Sequence, residues 1–90
     1  MKVIWTKEAL EKLSEIEEFI AKNSQQRAEQ FVNYLIERDE SISQNPFIGH
    51  MLPEISKPNI RELIIRKYRI VYRIKEEKIE ILTVFEVPSY

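Results

Sequence analysis

Two arginines in the C-terminal third of the chain, Arg69 and Arg73, are well placed to contact an anionic group. They stand four positions apart in a β-rich segment, so the alternation of side chains along a strand directs both to one face. Together they could bind phosphate or the carboxylates of a partner helix. A cross-strand ion pair with Glu80 is an equally supported alternative, and it would give these arginines a structural role.

Four further residues are candidates for acid–base or stacking chemistry: Arg61, Glu54, Glu86 and Tyr90. Arg61 begins a predicted strand, where an arginine is commonly just solvated, and a terminal tyrosine that could stack on a base is commonly frayed. The chain has no cysteine and one histidine, His50, so we expect neither a metal site nor a histidine-based catalytic centre. One glycine excludes a glycine-rich phosphate loop, and we expect no cofactor.

The first half of the chain carries the pattern of a strand followed by two helices. Residues 3–5 are β-rich, and Thr6 stands at the N-cap of a helix predicted over residues 7–22. Ser24 offers a second cap, for a helix that continues to about Gln44. The short connection predicts an antiparallel helical hairpin. Its two apolar stripes are Ala9, Leu10, Leu13, Ile16, Phe19 and Ile20, and then Ala28, Phe31, Val32, Leu35, Ile36 and Ile42.

The second half of the chain predicts one ordered loop and three strands. Four helix- and strand-breaking residues, three prolines and Gly49, punctuate residues 45–59. Strands are predicted over residues 60–65, 68–75 and 78–85, with turns at residues 66–67 and 76–77. The predicted fold is therefore α+β with the order β-α-α-β-β-β. An antiparallel sheet, ending in a three-strand meander, packs against the N-terminal helical hairpin.

A tight turn at residues 76–77 also predicts how the last two strands pair. On the face toward the helices, the expected pairs are Ile74 with Ile79, Tyr72 with Ile81, Ile70 with Thr83 and Tyr68 with Phe85. On the opposite face they are Arg73 with Glu80, Val71 with Leu82, Arg69 with Val84 and Lys67 with Glu86. That second face is half apolar and half charged, which favours a site where a partner segment binds. The expected partner-binding residues are Arg69, Val71, Arg73, Leu82 and Val84.

Composition favours one globular domain over residues 1–90. The chain is 43% hydrophobic and 32% charged, and it contains no run of transmembrane length or secretory-signal core, so we expect a cytoplasmic protein that makes no membrane contact. Residues 1–54 hold six Lys/Arg and ten Asp/Glu, a net charge of −4, whereas residues 55–90 hold eight and five, a net charge of +3. The overall pI near 5.9 argues against a dedicated nucleic-acid binder.

Several motifs in this order resemble the RelE/ParE toxin superfamily over roughly residues 3–85. They are the opening strand with Thr6-Lys7-Glu8-Ala9, the loop Asn45-Pro46-Phe47-Ile48-Gly49-His50, and the strands Arg61-Glu62-Leu63 and Tyr68-Arg69-Ile70-Val71-Tyr72-Arg73. The resemblance implies the toxin half of a type II toxin–antitoxin pair, which arrests growth when free and is neutralised when a disordered segment of its cognate antitoxin folds onto it. The long helical hairpin and the loop pattern are closer to the ParE-like branch.

The resemblance leaves three functions open. ParE-like members are held to poison DNA gyrase without a nuclease site, whereas RelE-like members cleave messenger RNA on the ribosome. The position at which many relatives carry a C-terminal histidine holds Glu86 here. RNA cleavage needs a base, cations and an acid. Arg61, Arg69 and Arg73 could supply the cations, and Glu54 or Glu86 could act as the base. No evident acid remains. We expect a ParE-like toxin that is not an enzyme. The alternatives are a RelE-like endoribonuclease and a non-toxic relative that only binds an antitoxin-like peptide.

Overall fold

The computed structural model describes residues 1–88 and contains two helices and a five-stranded sheet. The helices are α1 (Lys7–Ala21) and α2 (Gln25–Gln44), and a short 3-10 helix covers Pro46–Ile48. The strands are β1 (Lys2–Trp5), β2 (His50–Met51), β3 (Ile60–Ile65), β4 (Tyr68–Ile74) and β5 (Lys78–Glu86). The predicted α+β class and the predicted helical hairpin and C-terminal meander are confirmed. No helix within residues 1–88 is both long and apolar enough to cross a membrane.

Both helices begin at the capping residues that the sequence predicts. The Ala9 N–H donates to Thr6 Oγ1 over 3.2 Å, and the Arg27 N–H donates to Ser24 Oγ over 3.2 Å. The Thr6 hydroxyl also donates to the Ile81 carbonyl over 2.9 Å. The Thr6 side chain therefore both caps the N-terminus of α1 and connects it to β5 by a hydrogen bond.

The sheet is mixed rather than wholly antiparallel, and its strand order is β1-β5-β4-β3-β2. The N-terminal strand β1 forms one edge of the sheet and pairs in parallel with β5, which lies between β1 and β4. The loop of residues 45–59 contributes an additional edge strand, β2, which pairs with β3 through His50 and Met51. This two-residue strand lies within the residues that were predicted to form a loop.

A β-bulge changes the register between β4 and β5 and corrects the predicted pairing. The pairs Ile74 with Ile79 and Tyr72 with Ile81 are confirmed, but Leu82 is the extra residue of a bulge opposite the Val71/Tyr72 step. Beyond the bulge, Val71 pairs with Thr83, and every later partner is displaced by one position. Those later pairs are Ile70 with Val84, Arg69 with Phe85, and Tyr68 with Glu86.

The core lies between the helical hairpin and one face of the sheet. Its fully buried members include Phe31 and Leu35 of α2, with Ile70, Tyr72 and Ile81 of the sheet. Three residues of the predicted apolar stripes are instead exposed: Leu10 (52%), Phe19 (57%) and Ile36 (61%). The apolar stripe on each helix is therefore wider than the strip that the sheet can cover.

Candidate functional site

The side of the sheet away from the helices carries the predicted partner-binding surface, which we call the open face. By strand alternation and register, it presents the following residues from three neighbouring strands: Ile60, Glu62, Ile64, Arg69, Val71, Arg73, Glu80, Leu82, Thr83 and Phe85. Neither helix packs on this side, since the helix residues of the core meet the opposite face. The expectation of a sheet surface that the chain's own helices leave uncovered is confirmed.

Arg69 on the open face contacts a carboxylate that sequence reasoning did not single out. Its Nε lies 3.0 Å from Oε2 of Glu62 on β3. The approach is too far off the N–H direction for a hydrogen bond, so the contact is electrostatic. The Glu62 side chain is only 11% exposed, which makes this pair the most shielded ion pair on the surface. Arg69 also lies over the Phe85 ring, 5.7 Å from its centroid.

Arg73 forms the cross-strand ion pair that the sequence offered as an alternative to ligand binding. Its Nε and Nη2 both donate to Glu80 Oε1, over 3.2 and 2.8 Å, and Lys75 Nζ lies 3.4 Å from the same oxygen. The hydrogen bond from Arg73 is the main cause that holds the pKa of Glu80 below its usual value, and Lys75 adds to the effect. The two arginines share a face but hold separate carboxylates.

The apolar part of the open face differs from the predicted one. Ile64 and Phe85 are its large exposed side chains, at 51% and 39%. Val71 is on this face but nearly buried among its neighbours, and Leu82 is half-buried. The expectation that Val84 belongs to this surface is wrong, because the bulge turns Val84 to the helix side, where it is fully buried in the core.

Arg61 lies outside the open face and holds the loop before β3. It pairs with Tyr72 in the register, so its side chain starts on the helix side of the sheet. Arg61 Nε donates to the Pro58 carbonyl over 2.9 Å and Nη1 to the Gly49 carbonyl over 3.2 Å, while the guanidinium lies 5.0 Å from the Phe47 ring centroid. These contacts occupy Arg61 in a structural role.

The same loop is tied to the sheet by a tyrosine. The Tyr72 hydroxyl donates to the Pro46 carbonyl over 2.7 Å and accepts from the Gly49 N–H over 2.9 Å. Burial raises the pKa of Tyr72, against the opposing effects of the Gly49 hydrogen bond and the Arg61 charge. The Asn-Pro-Phe-Ile-Gly segment is thus a structural motif, which Tyr72 and Arg61 hold in place by hydrogen bonds to its backbone.

The weaker catalytic candidates do not come together in one place. Glu54 lies in an exposed turn and forms no ion pair within residues 1–88, and Glu86 at the end of β5 pairs with Lys67 over 3.5 Å. Tyr90 lies outside the described residues. His50 is exposed on β2, and no group of metal-ligating side chains occurs in the described part of the chain. Base, cations and acid are not assembled around one reacting position by these residues.

Comparison with known proteins decides the family. The model of the ParE toxin of the type II toxin–antitoxin system, parDE, matches residues 3–86. This chain belongs to the ParE toxin family. The resemblance to the RelE/ParE superfamily, and to its ParE-like branch in particular, is confirmed. The match covers both helices and all five strands except Lys2, the first residue of β1.

A solved structure shares the fold of this ParE family member. It is described as the chromosomal ParDE toxin–antitoxin system from P. aeruginosa, at 23% sequence identity and a TM-score of 0.78, with 98% of this chain and 97% of that chain covered. At this identity the likeness shows the fold alone. The search of curated proteins found no match.

Sequence reasoning missed Glu62, Ile64 and Phe85 on the open face. Glu62 and Ile64 alternate with core residues along β3, which is the signal that places them on the open face beside Val71 and Arg69 of β4. The face of Phe85 depends on the bulge at Leu82, and neither proline nor glycine marks that position. For Phe85 the sequence holds no local signal.

Proposed function

We propose that this chain is the toxin of a ParDE-type pair that inhibits bacterial growth when free and is neutralised by a cognate antitoxin. The observation that carries the proposal is the match of the ParE toxin model across residues 3–86. The proposal also assigns DNA gyrase as the target and the cytoplasm as the location. Membership of a toxin family supports the role of a growth-inhibiting toxin. DNA gyrase as its target is the part of the proposal that needs a separate experiment.

The open face is the proposed antitoxin-binding site. Its exposed side chains, Ile64 and Phe85, flank ion pairs that already satisfy the charges of Arg69 and Arg73. A partner helix or strand could bury the two apolar side chains without leaving a lone charge in the interface. An antitoxin segment that is disordered when free suits such a surface, since it folds as it covers the apolar positions.

Separate positions of the catalytic candidates support action through protein contact rather than RNA cleavage. Arg61 is engaged by the loop, Glu86 pairs with Lys67, and Arg69 and Arg73 are each bound to a carboxylate. General acid–base catalysis requires the participating groups within hydrogen-bond reach of the same substrate atoms.

Expression of the chain alone in bacteria should stop growth, and co-expression with the product of a small neighbouring reading frame should restore it. Purified protein should inhibit supercoiling by gyrase or leave cleaved DNA. Fragmented messenger RNA in a translating extract, with intact gyrase activity, would instead establish the endoribonuclease. Unimpaired growth, with binding to the neighbouring product retained, would establish the non-toxic relative.

The docking surface is tested separately by an Ile64→Glu substitution. A carboxylate at this position should weaken antitoxin binding by about tenfold or more, because it must be desolvated in the interface. Ile36→Glu is the matched control, since Ile36 is an isoleucine on α2 whose exposure, 61%, is comparable with the 51% of Ile64. An Arg69→Ala/Arg73→Ala variant should also weaken binding to antitoxin or target. Unchanged affinity for both would remove these arginines from the site.

A further inference from the structure

One aromatic ring on α2 carries two arginine side chains. The ring belongs to Tyr34, and its centroid lies 4.8 Å from the guanidinium carbon of Arg38 and 4.9 Å from that of Arg66. Arg38 follows Tyr34 by one helical turn, whereas Arg66 comes from the turn between β3 and β4. The two guanidinium carbons cannot be farther apart than these two distances together, about 10 Å. We call the three residues the arginine–tyrosine cluster.

The two positive charges of the arginine–tyrosine cluster are not neutralised by the described part of the chain. Neither Arg38 nor Arg66 forms an ion pair with any residue between 1 and 88. The Nε atom of Arg38 is buried and has no hydrogen-bond acceptor within the same residues. A charged donor that is withdrawn from water without an acceptor is unfavourable, so an anion beside this guanidinium group would stabilise it.

The carboxylates next to Arg38 in the sequence do not take its charge. Asp39 instead accepts a hydrogen bond from Trp5 Nε1 over 2.7 Å. Glu37 precedes Arg38 directly, and adjacent residues of a helix point to different faces. The cluster therefore stays positive although α2 carries four carboxylates and only two arginines.

The backbone at Arg66 adds an independent observation. Its φ is +57°, in the left-handed region, at the first position of a two-residue hairpin turn where glycine is usual. An arginine therefore occupies a strained position that a smaller residue would fill more easily. Strain of this kind is often retained where the side chain has a use.

The open face shows how this chain pairs an arginine with a carboxylate, and the cluster is built differently. On the open face each arginine has its own carboxylate, Glu62 for Arg69 and Glu80 for Arg73. A carboxylate holds its two oxygens in one plane, which suits one guanidinium group. Phosphate oxygens point in several directions and carry more charge, so phosphates can accept from guanidinium groups that come from two elements.

We propose that the arginine–tyrosine cluster binds an anion with two linked phosphate groups. One phosphate accepts hydrogen bonds from Arg38 and the next from Arg66, and the distance between the two arginines favours a linked pair over a single phosphate. The Tyr34 ring holds both guanidinium groups at this spacing. This inference does not depend on the toxin function, because it rests on the cluster alone.

Linked phosphates occur both in small diphosphate compounds and in the backbone of a nucleic acid. The chain as a whole has a net charge of −1 and a pI near 5.9, so it has no general attraction for a polyanion. A small diphosphate compound is therefore the expected source.

Nuclear magnetic resonance of the full-length protein, labelled with nitrogen-15, tests the proposal through the arginine Nε–H signals. Inorganic diphosphate should shift the signals of Arg38 and Arg66 with one common Kd near about 1 mM. The Arg61 signal is the internal control and should stay in place, because Arg61 Nε already donates to the Pro58 carbonyl over 2.9 Å. Inorganic monophosphate, and citrate as a tricarboxylate of similar charge, should each bind at least about fivefold more weakly at equal ionic strength.

Matched variants separate the cluster from general charge effects. Arg38→Gln with Arg66→Gly should weaken diphosphate binding about tenfold or more, and glycine at position 66 also relieves the positive φ, so folding is preserved. Lys2→Gln with Lys57→Gln removes the same charge from exposed positions elsewhere and should leave the affinity within about twofold.

A 12-nucleotide single-stranded DNA distinguishes the two sources of linked phosphates. It should bind no more tightly than diphosphate if the ligand is a small compound. Binding at least about tenfold tighter, with the same dependence on Arg38 and Arg66, would assign the site to a nucleic-acid backbone.

Three results would overturn the proposal. The first is the absence of shifts at Arg38 and Arg66 up to about 20 mM diphosphate. The second is equal affinity for citrate and diphosphate, which would show a positive surface without selectivity. The third is an equal loss of affinity in the arginine variant and the lysine control.

Discussion

Replacement of Gly49 by alanine perturbs the loop that precedes β3 at its tightest point. A Cβ atom at this position would lie 2.6 Å from the Glu62 carbonyl oxygen and 2.7 Å from the Tyr72 hydroxyl oxygen. The Gly49 backbone has an ordinary φ of −78°, so alanine is excluded by space and not by conformation. The Glu62 oxygen belongs to a strand paired on both sides and cannot retreat.

The free-energy cost follows from what must move. Ordinary contact begins near 3.4 Å, so the loop must shift by about 0.8 Å, which breaks the 2.9 Å hydrogen bond from the Gly49 N–H to Tyr72. A buried donor left without its acceptor costs about 1–3 kcal/mol. The reduced backbone entropy of unfolded alanine offsets about 0.4–1 kcal/mol. We therefore expect the free energy of unfolding to fall by about 1.3 kcal/mol, and Tm by roughly 5–10 °C.

Urea and thermal unfolding followed by circular dichroism measure this loss. Tyr72→Phe is the companion variant, because it removes the hydroxyl group but leaves the glycine. In the double variant the alanine methyl group no longer meets that hydroxyl, so the combined loss should be smaller than the sum of the two single losses. A Gly49→Ala protein within about 0.5 kcal/mol of the parent would show that the loop adjusts freely, and that Tyr72 does not hold it.

Three further variants test other contacts. Val84→Ala should lower the free energy of unfolding by about 2 kcal/mol in urea titration, and a loss below about 0.5 kcal/mol would contradict the shifted register. Burial is the main cause that raises the pKa of Asp39, although the hydrogen bond from Trp5 Nε1 opposes it, so stability should fall as pH rises from 3.8 upward. Asp39→Asn should flatten that part of the Tm–pH curve, and an unchanged slope would show that another group causes the pH dependence. The hydrogen bond from Arg73 lowers the pKa of Glu80, so the stabilisation from this ion pair is present above pH 4.5 and is lost as the pH falls below it. Glu80→Gln should therefore flatten the acid side of the Tm–pH curve. A curve as steep as the parent's in this range would count against the ion pair.

Local chemistry was enough to predict most elements of the fold. Thr6 and Ser24 are good N-cap residues followed by helical apolar periodicity, and both helices begin where these caps place them. The β3 strand has its predicted bounds, Ile60–Ile65, because turn residues and β-branched side chains mark it on both sides. Such signals act within a few residues, so they can be read without knowledge of the tertiary structure.

The candidate site was less predictable because it depends on pairing between strands. One unpaired residue at Leu82 moves Val84 from the open face into the core and brings Phe85 opposite Arg69. A single-residue slip reverses the face of every later side chain, so a correct element prediction gave a wrong surface. The Arg73–Glu80 pair was predicted correctly because it lies between the turn and the bulge.

The balance of charges on the open face bears on what that face can recognise. On the open face, Glu62 and Glu80 already hold Arg69 and Arg73, so a partner gains little from added carboxylates there and must be recognised through apolar contact and shape. The open face of this ParE family member therefore suits a partner that covers Ile64 and Phe85 with apolar side chains and brings few charges of its own.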